Sequence, residues 1–266
     1  MNCCLTIAGS DSGGNAGVQA DLRAFHAYGL HGCTVIAALT AQNPFGVSAI
    51  HPVPAEFVDA QLRAVLGTYS IAALKTGMLA SREVIEVVSS HFSTHTEIAK
   101  VVDPVLIATS GARLVEGEAI DAIRSRLLPQ ATLITPNLPE AEVLAGCPGA
   151  AEEQARRIYE KFGAVVLVKG GHARQADAVD VLCYGSCGRT IVREFRLPWV
   201  TNPVSTHGTG CTLAAALAAE LALGRDLESA VMGAKSFVRR AINDSYPVGK
   251  NCGVLGFVHQ DLNKEI

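Results

Sequence analysis

Short apolar runs rich in β-branched residues alternate with amphipathic segments along most of the chain. Six runs have the length and composition of buried strands: CLTIAG, CTVIAAL, IAALKTG, KVVDPV, ATLITPN and AVVLVKGG. Between them, five segments have helical periodicity: VQADLRAFHAYG, AEFVDAQLRAVLG, REVIEVVSSHF, GEAIDAIRSRLL and EEQARRIYEKFG. This alternation predicts an α/β fold, a doubly wound and mostly parallel central sheet with helices on both faces.

The segment AVDVLCYGSCGRTIVREFRL departs from the alternation. It contains two strands of alternating polarity around a Ser-Cys-Gly-Arg turn, which predicts a small antiparallel hairpin that extends the sheet. The chain has no internal repeat, low-complexity tract or linker, so we expect one domain over residues 1–266.

Composition narrows the possible functions. The 266 residues are 49% hydrophobic with a net charge of -3, which supports a large core and argues against nucleic-acid or membrane partners. The eight cysteines form no disulfide framework and no zinc-binding pattern. Because the N-terminus MNCCLTIAGSDSGG lacks a basic region and no segment has about 20 consecutive apolar residues, we expect a cytoplasmic protein.

Ligands of doubly wound sheets bind beyond the carboxyl ends of the strands. In this chain those ends are unusually polar and rich in glycine. They are residues 9–17, 40–43, 75–78, 103–105, 135–137 and 169–172. The pattern predicts a binding site at that edge.

The first of these segments, GSDSGGNAG at residues 9–17, fits neither the dinucleotide-binding motif nor the P-loop. The G-x-G-x-x-G spacing of a dinucleotide site is missing, and no Gly-Lys-Ser/Thr follows as in a P-loop. A glycine-rich turn without a ligand is the alternative. Asp21 in the helix that follows can equally be explained by the helix dipole.

Three further motifs each allow a structural and a functional interpretation. In TPNLPE, Asn137 and Glu140 have the spacing of a capping box, but Glu140 could also order a magnesium-bound water near phosphates. Asp103 in VDPV is either a turn-former or a ligand of magnesium or substrate. Lys169 in VKGGH could extend to solvent or bind a phosphate.

The segment STHGTGCTLAAALAAELALG carries the strongest chemical signal. Gly208, Thr209 and Gly210 place consecutive backbone N–H groups at a helix start, which favours an anion or a phosphoryl group in transfer. The same field is expected to lower the pKa of Cys211 below its usual value of about 8.5, making it a base or nucleophile. The alternative is that Cys211 packs as a small apolar residue under the alanine-rich helix.

Taken together, these motifs resemble one enzyme family. AGSDSGGNAGVQADL, TAQN, KTGM, DPV, SG, TPNLPEA, VLVKGGH and HGTGCTLAAALAAELA resemble, in this order, the hydroxymethylpyrimidine/phosphomethylpyrimidine kinases of thiamine biosynthesis, members of the ribokinase-like superfamily. Sugar and nucleoside kinases of that superfamily have Asp at the position of Cys211, whereas this family and some related pyridoxal kinases have Cys.

The resemblance implies a role for each matching residue. Cys211 would be the base for the hydroxymethyl group, Gly208 and Gly210 would form the anion hole, and Lys169 would neutralise the transferring phosphate. Gly9, Ala16, Asp21, Gln42, Met78 and Val105 would bind the pyrimidine, with the Gln42 amide matching an exocyclic amine beside a ring nitrogen. Asp103, Thr135, Asn137, Glu140, Thr209 and Lys235 would bind ATP, with Asp103 and Glu140 holding Mg²⁺, partly through water.

We therefore expect a kinase that uses ATP and Mg²⁺ to phosphorylate 4-amino-5-hydroxymethyl-2-methylpyrimidine and then its phosphate. The resemblance also implies a homodimer. The chain departs from the family pattern at Asn15, where a third glycine is usual, and at Pro44-Phe45 after Gln42-Asn43. Asn tolerates positive φ, so the first loop need not change, whereas Pro44-Phe45 could alter access to the substrate pocket. Two alternatives remain: a pyridoxal or pyridoxine kinase on the same scaffold, and a non-catalytic pyrimidine- or nucleotide-binding protein.

Overall fold

The computed structural model describes residues 2–106, 117–170 and 177–257. Its strands are β1 Cys3–Asp11, β2 His31–Asn43, β3 Gly46–Pro52, β4 Ile71–Thr76, β5 Ala99–Val102, β6 Leu133–Ile134, β7 Val165–Val168, β8 Asp177–Ser186, β9 Arg189–Pro198, β10 Tyr246–Gly249 and β11 Cys252–Val254. Its helices are α1 Gly17–Ala27, α2 Ala55–Leu66, α3 Arg82–Thr94, α4 Gly117–Ala122, α5 Leu138–Ala145, α6 Ala151–Phe162, α7 Thr209–Ala222 and α8 Leu227–Asn243. Helix α4 continues as a π-helical turn over Ile123–Leu127 and a 3-10 turn over Leu128–Gln130.

Nine strands form one central sheet in the order β3-β2-β1-β4-β5-β6-β7-β8-β9. In this order the six strands β2, β1, β4, β5, β6 and β7 are parallel to one another. Each of them overlaps one of the six runs from which strands were predicted. The five predicted helices are also present. The predicted α/β class with a mostly parallel sheet is confirmed.

Antiparallel hairpins extend the sheet at both edges, and the sequence revealed one of them. The predicted hairpin is β8–β9, which pairs with β7 through β8. At the opposite edge β2 runs on to Asn43 and turns back into β3, a strand for which no prediction was made. Most β3 side chains are exposed, so its sequence lacks the polar and apolar alternation of a half-buried strand.

Helices cover both faces of the sheet with separate apolar clusters. In one cluster, helices α2, α3, α4, α5 and α6 pack against one face of the sheet. In the other cluster, helices α1, α7 and α8 pack against the opposite face. In α7 every side chain from Ala214 to Ala219 is fully buried. Small alanine side chains let this helix lie close to the sheet, which fixes its N-terminus beside the carboxyl ends of the parallel strands. No helix in the described residues is long and apolar enough to cross a membrane.

Candidate active site

A cavity of about 730 Å³ lies at the carboxyl ends of the parallel strands. Fourteen predicted site residues line it: Gly9, Ala16, Gln42, Met78, Asp103, Val105, Asn137, Glu140, Lys169, Gly208, Thr209, Gly210, Cys211 and Lys235. Asp21 and Thr135 do not line it, because both side chains are fully buried behind its wall. Gly171 and His172 of the VKGGH motif, and the Ser110-Gly111 pair, lie outside the described residues.

A left-handed turn leads into α7 at the centre of the cavity. Gly208 has φ +85°, and a Cβ at this position would lie 1.9 Å from the backbone oxygen of Asn15. Only glycine therefore fits the turn without displacing the loop that carries Asn15. The first helical bond runs from Thr212 N to Gly208 O. The N–H groups between these residues precede the helical ladder and are available to an anion.

Cys211 follows this turn and is partly buried at the cavity wall. Burial raises the pKa of its thiol, while the Lys75 ammonium and the backbone N–H of Gly17 act to lower it. The expectation of a lowered pKa is wrong for the resting site, because desolvation outweighs these favourable contacts. A sequence reveals the helix start next to a cysteine, but it does not reveal how deeply the thiol is buried.

Lys169 and Asp103 form an ion pair on the cavity wall. Lys169 Nζ lies 2.7 Å from Asp103 Oδ1, and the Thr135 hydroxyl donates to the same oxygen at 3.2 Å. Burial acts to lower the pKa of Lys169, but the carboxylates of Asp103 and Glu140 outweigh it and the pKa is raised. Lys169 is therefore a fixed cation in the cavity, and Thr135 supports it indirectly through Asp103.

In the TPNLPE segment, Asn137 and Glu140 form a capping box, and both residues also line the cavity. The Asn137 side chain accepts from the Glu140 backbone N–H, and Glu140 accepts in return from the Asn137 N–H, both at 2.9 Å. The predicted capping box is confirmed. Burial and the Asp103 charge raise the pKa of Glu140 to about 7 against the opposing effect of Lys169. Capping therefore orients Glu140 towards the cation and carboxylate that face the cavity.

Gly9 on β1, Gln42 on β2 and Met78 just after β4 also line the cavity. Gly9 leaves room for Met78, whose Cε would lie 2.7 Å from a Cβ at that position. The Gln42 amide oxygen accepts from the Thr40 hydroxyl at 3.1 Å, which orients the amide at the cavity wall. The arrangement suits a flat ring that needs one polar contact at its edge.

Asp11 organises the glycine-rich loop and was missed from the sequence. Its buried carboxylate accepts from the backbone N–H groups of Gly13, Asn15 and Ala16 at 2.8 to 2.9 Å. An Asp followed by Ser-Gly-Gly is a signal for this kind of turn, because a short carboxylate can bond to backbone groups a few residues ahead.

Two further ion pairs were also missed. Asp180 accepts from Gly170 N at 2.9 Å and lies 2.6 Å from Lys235 Nζ. Lys235 therefore lines the cavity while its ammonium group is paired with the Asp180 carboxylate. Asp21 pairs with Lys75, so the expectation that Asp21 lines the substrate pocket is wrong. A polar residue inside an apolar strand, such as Lys75 in IAALKTG, was the available signal.

Comparisons with known proteins agree with this geometry. A family model described as phosphomethylpyrimidine kinase matches residues 11–256. The hydroxymethylpyrimidine/phosphomethylpyrimidine kinase of Haemophilus influenzae is 44% identical over 255 residues, which cover 94% of this chain and 94% of that protein. The thiamine biosynthesis bifunctional protein ThiED of Geobacter sulfurreducens is 42% identical over 96% of this chain, which spans 52% of that longer protein.

Solved structures show the same fold. The pyridoxal kinase of Bacillus subtilis, crystallised with ADP, has a TM-score of 0.88 and 34% identity and covers 99% of this chain and 100% of its own. The phosphomethylpyrimidine kinase of Clostridium difficile 630 has a TM-score of 0.79 and 36% identity, covering 91% of this chain and 100% of its own. The ribokinase-like fold is confirmed, and the chain belongs to the phosphomethylpyrimidine kinase family of phosphotransferases.

Proposed function

We propose that this protein transfers phosphoryl groups from ATP to 4-amino-5-hydroxymethyl-2-methylpyrimidine and then to the resulting monophosphate, within thiamine biosynthesis. The observation that carries the proposal is Cys211, a thiol that lies at the start of α7 and at the wall of a mostly apolar cavity. A relative with 44% identity over nearly its whole length is named for both phosphorylations.

The pyrimidine would occupy the part of the cavity that is lined by Gly9, Gln42 and Met78. Met78 and Val105 would enclose the two faces of the ring, while Gly9 and Ala16 allow it to approach the backbone. The Gln42 amide would contact the polar edge, where an exocyclic amine and a ring nitrogen require one acceptor and one donor. In this orientation the hydroxymethyl group would point towards Cys211.

The triphosphate would lie across the start of α7. The N–H groups of Thr209 and Gly210 and the Lys169 ammonium would bind the γ-phosphoryl group during transfer. Lys235 would add a positive charge at the nucleotide side of the cavity. There, Leu197, Trp199, Val238 and Ile242 form an apolar wall that suits the adenine ring.

Asp103 and Glu140 fit a magnesium ion that is held mainly by water and phosphate oxygens. No group of three or more His, Cys, Asp or Glu side chains in the described residues is arranged to hold a metal ion. Mg²⁺ in phosphoryl-transfer sites needs only one or two carboxylates and keeps several waters. The ion would neutralise the charge of the phosphate oxygens, with Asn137 beside it at the cavity wall.

Cys211 would act on the hydroxyl proton in the first transfer. Its thiolate accepts that proton as the bond from the substrate oxygen to the γ-phosphorus forms. The bond from this phosphorus to the bridging oxygen breaks, and ADP leaves with the electron pair. In the second transfer the acceptor is a phosphate oxygen, which is already ionised near neutral pH. A base is therefore needed mainly in the first step.

A pyridoxal kinase is the second candidate, because the pyridoxal kinase of B. subtilis superposes with a TM-score of 0.88. The deciding experiment is incubation with ATP and Mg²⁺ and either the hydroxymethylpyrimidine or pyridoxal, followed by mass spectrometry of the products. We expect the pyrimidine monophosphate and then the diphosphate. Pyridoxal phosphate formed at a much higher kcat/KM would replace our proposal with the second candidate, and no product from either compound would refute both.

The homodimer and the cytoplasmic location stay predictions. Leu39, Phe45 and Ile50 are exposed apolar side chains on the β2–β3 hairpin, and burial of this edge would support a dimer. Sedimentation equilibrium tests the dimer directly, and a monomer at micromolar concentration would contradict it.

A further inference from the structure

A fully buried ion pair lies directly behind the cavity. Lys75 Nζ lies 3.0 and 2.9 Å from the two carboxylate oxygens of Asp21, and both side chains are 0% exposed. The Thr6 hydroxyl donates to Asp21 Oδ2 at 2.6 Å. Thr6 and Lys75 are register partners on the adjacent strands β1 and β4, so the two strands and α1 together fix this cluster.

Lys75 also reaches the cavity wall, while Asp21 does not. An ammonium group has three N–H donors. Within the described part of the chain, the hydrogen bonds of Lys75 Nζ are those to Asp21. One N–H is therefore left for a group on the cavity side.

Cys211 is the cavity group on which this charge acts, because helix α7, which carries Cys211, packs against strand β4, which carries Lys75, and both side chains line the cavity. The charged and titratable groups around its thiol are Lys75 from β4, Asp21 from α1, Asp103 beyond β5 and Lys169 at the end of β7. Burial raises the thiol pKa, and Lys75 makes the largest contribution in the opposite direction. Asp21 and Asp103 also act to raise it, by smaller amounts.

We propose, building on the function proposed above, that Lys75 is a positioning residue that stabilises the Cys211 thiolate and that Asp21 holds Lys75 in place. The thiol first releases its proton to solvent, and the positive charge of Lys75 stabilises the resulting thiolate. It then accepts the substrate hydroxyl proton during phosphoryl transfer and releases that proton to solvent after ADP leaves. Lys75 stays protonated throughout, so its role is electrostatic.

The pairing with Asp21 explains how Lys75 keeps its charge although its side chain is fully buried. An isolated ammonium in this environment would lose its proton, because desolvation favours the neutral amine. The negative charge of Asp21 makes the largest contribution against this desolvation, and the pKa of Lys75 is raised although its side chain is buried. Asp21 therefore acts on the reaction through Lys75 and has no contact with the substrate.

The test is the pH dependence of Cys211 alkylation by iodoacetamide, followed on the Cys211 peptide by mass spectrometry without ATP or pyrimidine. The main variant is the double substitution Lys75→Met/Asp21→Asn, which leaves no unpaired buried charge. Lys75→Met alone is the second variant. Lys100→Met is the matched control, since Lys100 is a buried lysine that does not line the cavity.

In both Lys75 variants we expect the alkylation midpoint to move to higher pH. A shift of about one unit corresponds to a roughly tenfold lower alkylation rate at pH 8. The exposed thiol of Cys187 serves as an internal reference and should react at an unchanged rate. Lys100→Met should leave the Cys211 midpoint where it is. An unchanged midpoint in a folded Lys75 variant, or an equal shift in Lys100→Met, would overturn the proposal.

Steady-state kinetics provide the second readout. We expect the double variant to lower kcat about tenfold near pH 7 with little change in the KM for pyrimidine, and to recover part of that loss as the pH rises. A purely structural role would raise KM and lower kcat equally at every pH. Because alkylation needs neither substrate, it tests the Lys75 proposal even if the proposed kinase activity is absent.

Discussion

Substitution of Gly208 by alanine should damage catalysis and stability together, because two separate features of this position require glycine. Its φ of +85° lies in the left-handed region, and its missing Cβ would lie 1.9 Å from the Asn15 oxygen. The Asn15 backbone is itself held by the Asp11 carboxylate at 2.9 Å. Neither side of the contact can move freely, so either the turn at Gly208 or the glycine-rich loop that carries Asn15 must shift by roughly 1 Å.

Gly224 provides a matched control at the other end of the same helix. It has φ +75°, and a Cβ there would meet no atom within 4 Å. In Gly224→Ala the free energy of unfolding should therefore fall only by the cost of placing alanine in a left-handed backbone conformation, about 1–2 kcal/mol. In Gly208→Ala the free energy of unfolding should fall by the same backbone cost and by a further ~1–3 kcal/mol, because the added Cβ overpacks the contact with Asn15. The difference between the two variants isolates the contact with the Asn15 backbone.

Thermal unfolding and steady-state kinetics of both variants measure the two effects. Each kcal/mol corresponds to about 2–4 °C in Tm for a chain of this size. A displacement of about 1 Å in the turn at Gly208 should lower kcat by roughly 10²-fold in Gly208→Ala. Gly224→Ala should keep wild-type kcat. Equal losses of Tm in the two variants, or full activity of Gly208→Ala, would refute the assignment of Gly208 to a tightly packed anion-binding turn.

Three further substitutions test the proposed roles of single side chains. Gln42→Leu should weaken pyrimidine binding by about 1–3 kcal/mol while ATP affinity is kept; calorimetry that finds unchanged pyrimidine affinity removes Gln42 from the site. Lys169→Met should lower turnover far more than pyrimidine affinity, since its charge acts on the phosphoryl group in transfer, and near wild-type turnover would contradict this. Cys211→Ala should lower kcat of the first transfer by about 10²–10⁴-fold and affect the second less, with Cys211→Asp more active than Ala. A fully active Cys211→Ala protein with an unfolded Cys211→Asp would instead identify the thiol as a packing residue.

The sequence predicted the elements that carry a periodic signal, and it failed where the signal depends on tertiary contacts. Parallel strands buried on both faces give continuous apolar runs, so each of them could be recognised. The β3 strand is mostly exposed and gives no such run. The capping box at Asn137 was predictable because it depends on residues three apart. The raised pKa of Cys211 was not, because its cause is burial by distant parts of the chain.

The contrast between Asp21 and Gln42 shows which structural features of a residue can be inferred from a match to a family motif. A motif fixes the element on which a residue lies: Gln42 is on β2 and Asp21 is on α1, as expected. It does not fix the direction of a side chain from a helix that packs on the sheet. Asp21 faces inward because Thr6 and Lys75 offer it a hydrogen bond and a charge on neighbouring strands. These partners were visible as polar residues inside the apolar runs CLTIAG and IAALKTG. Since a buried lysine requires a buried acceptor, such interruptions in a parallel strand predict an internal pair, and a carboxylate on the covering helix is the first place to look for it.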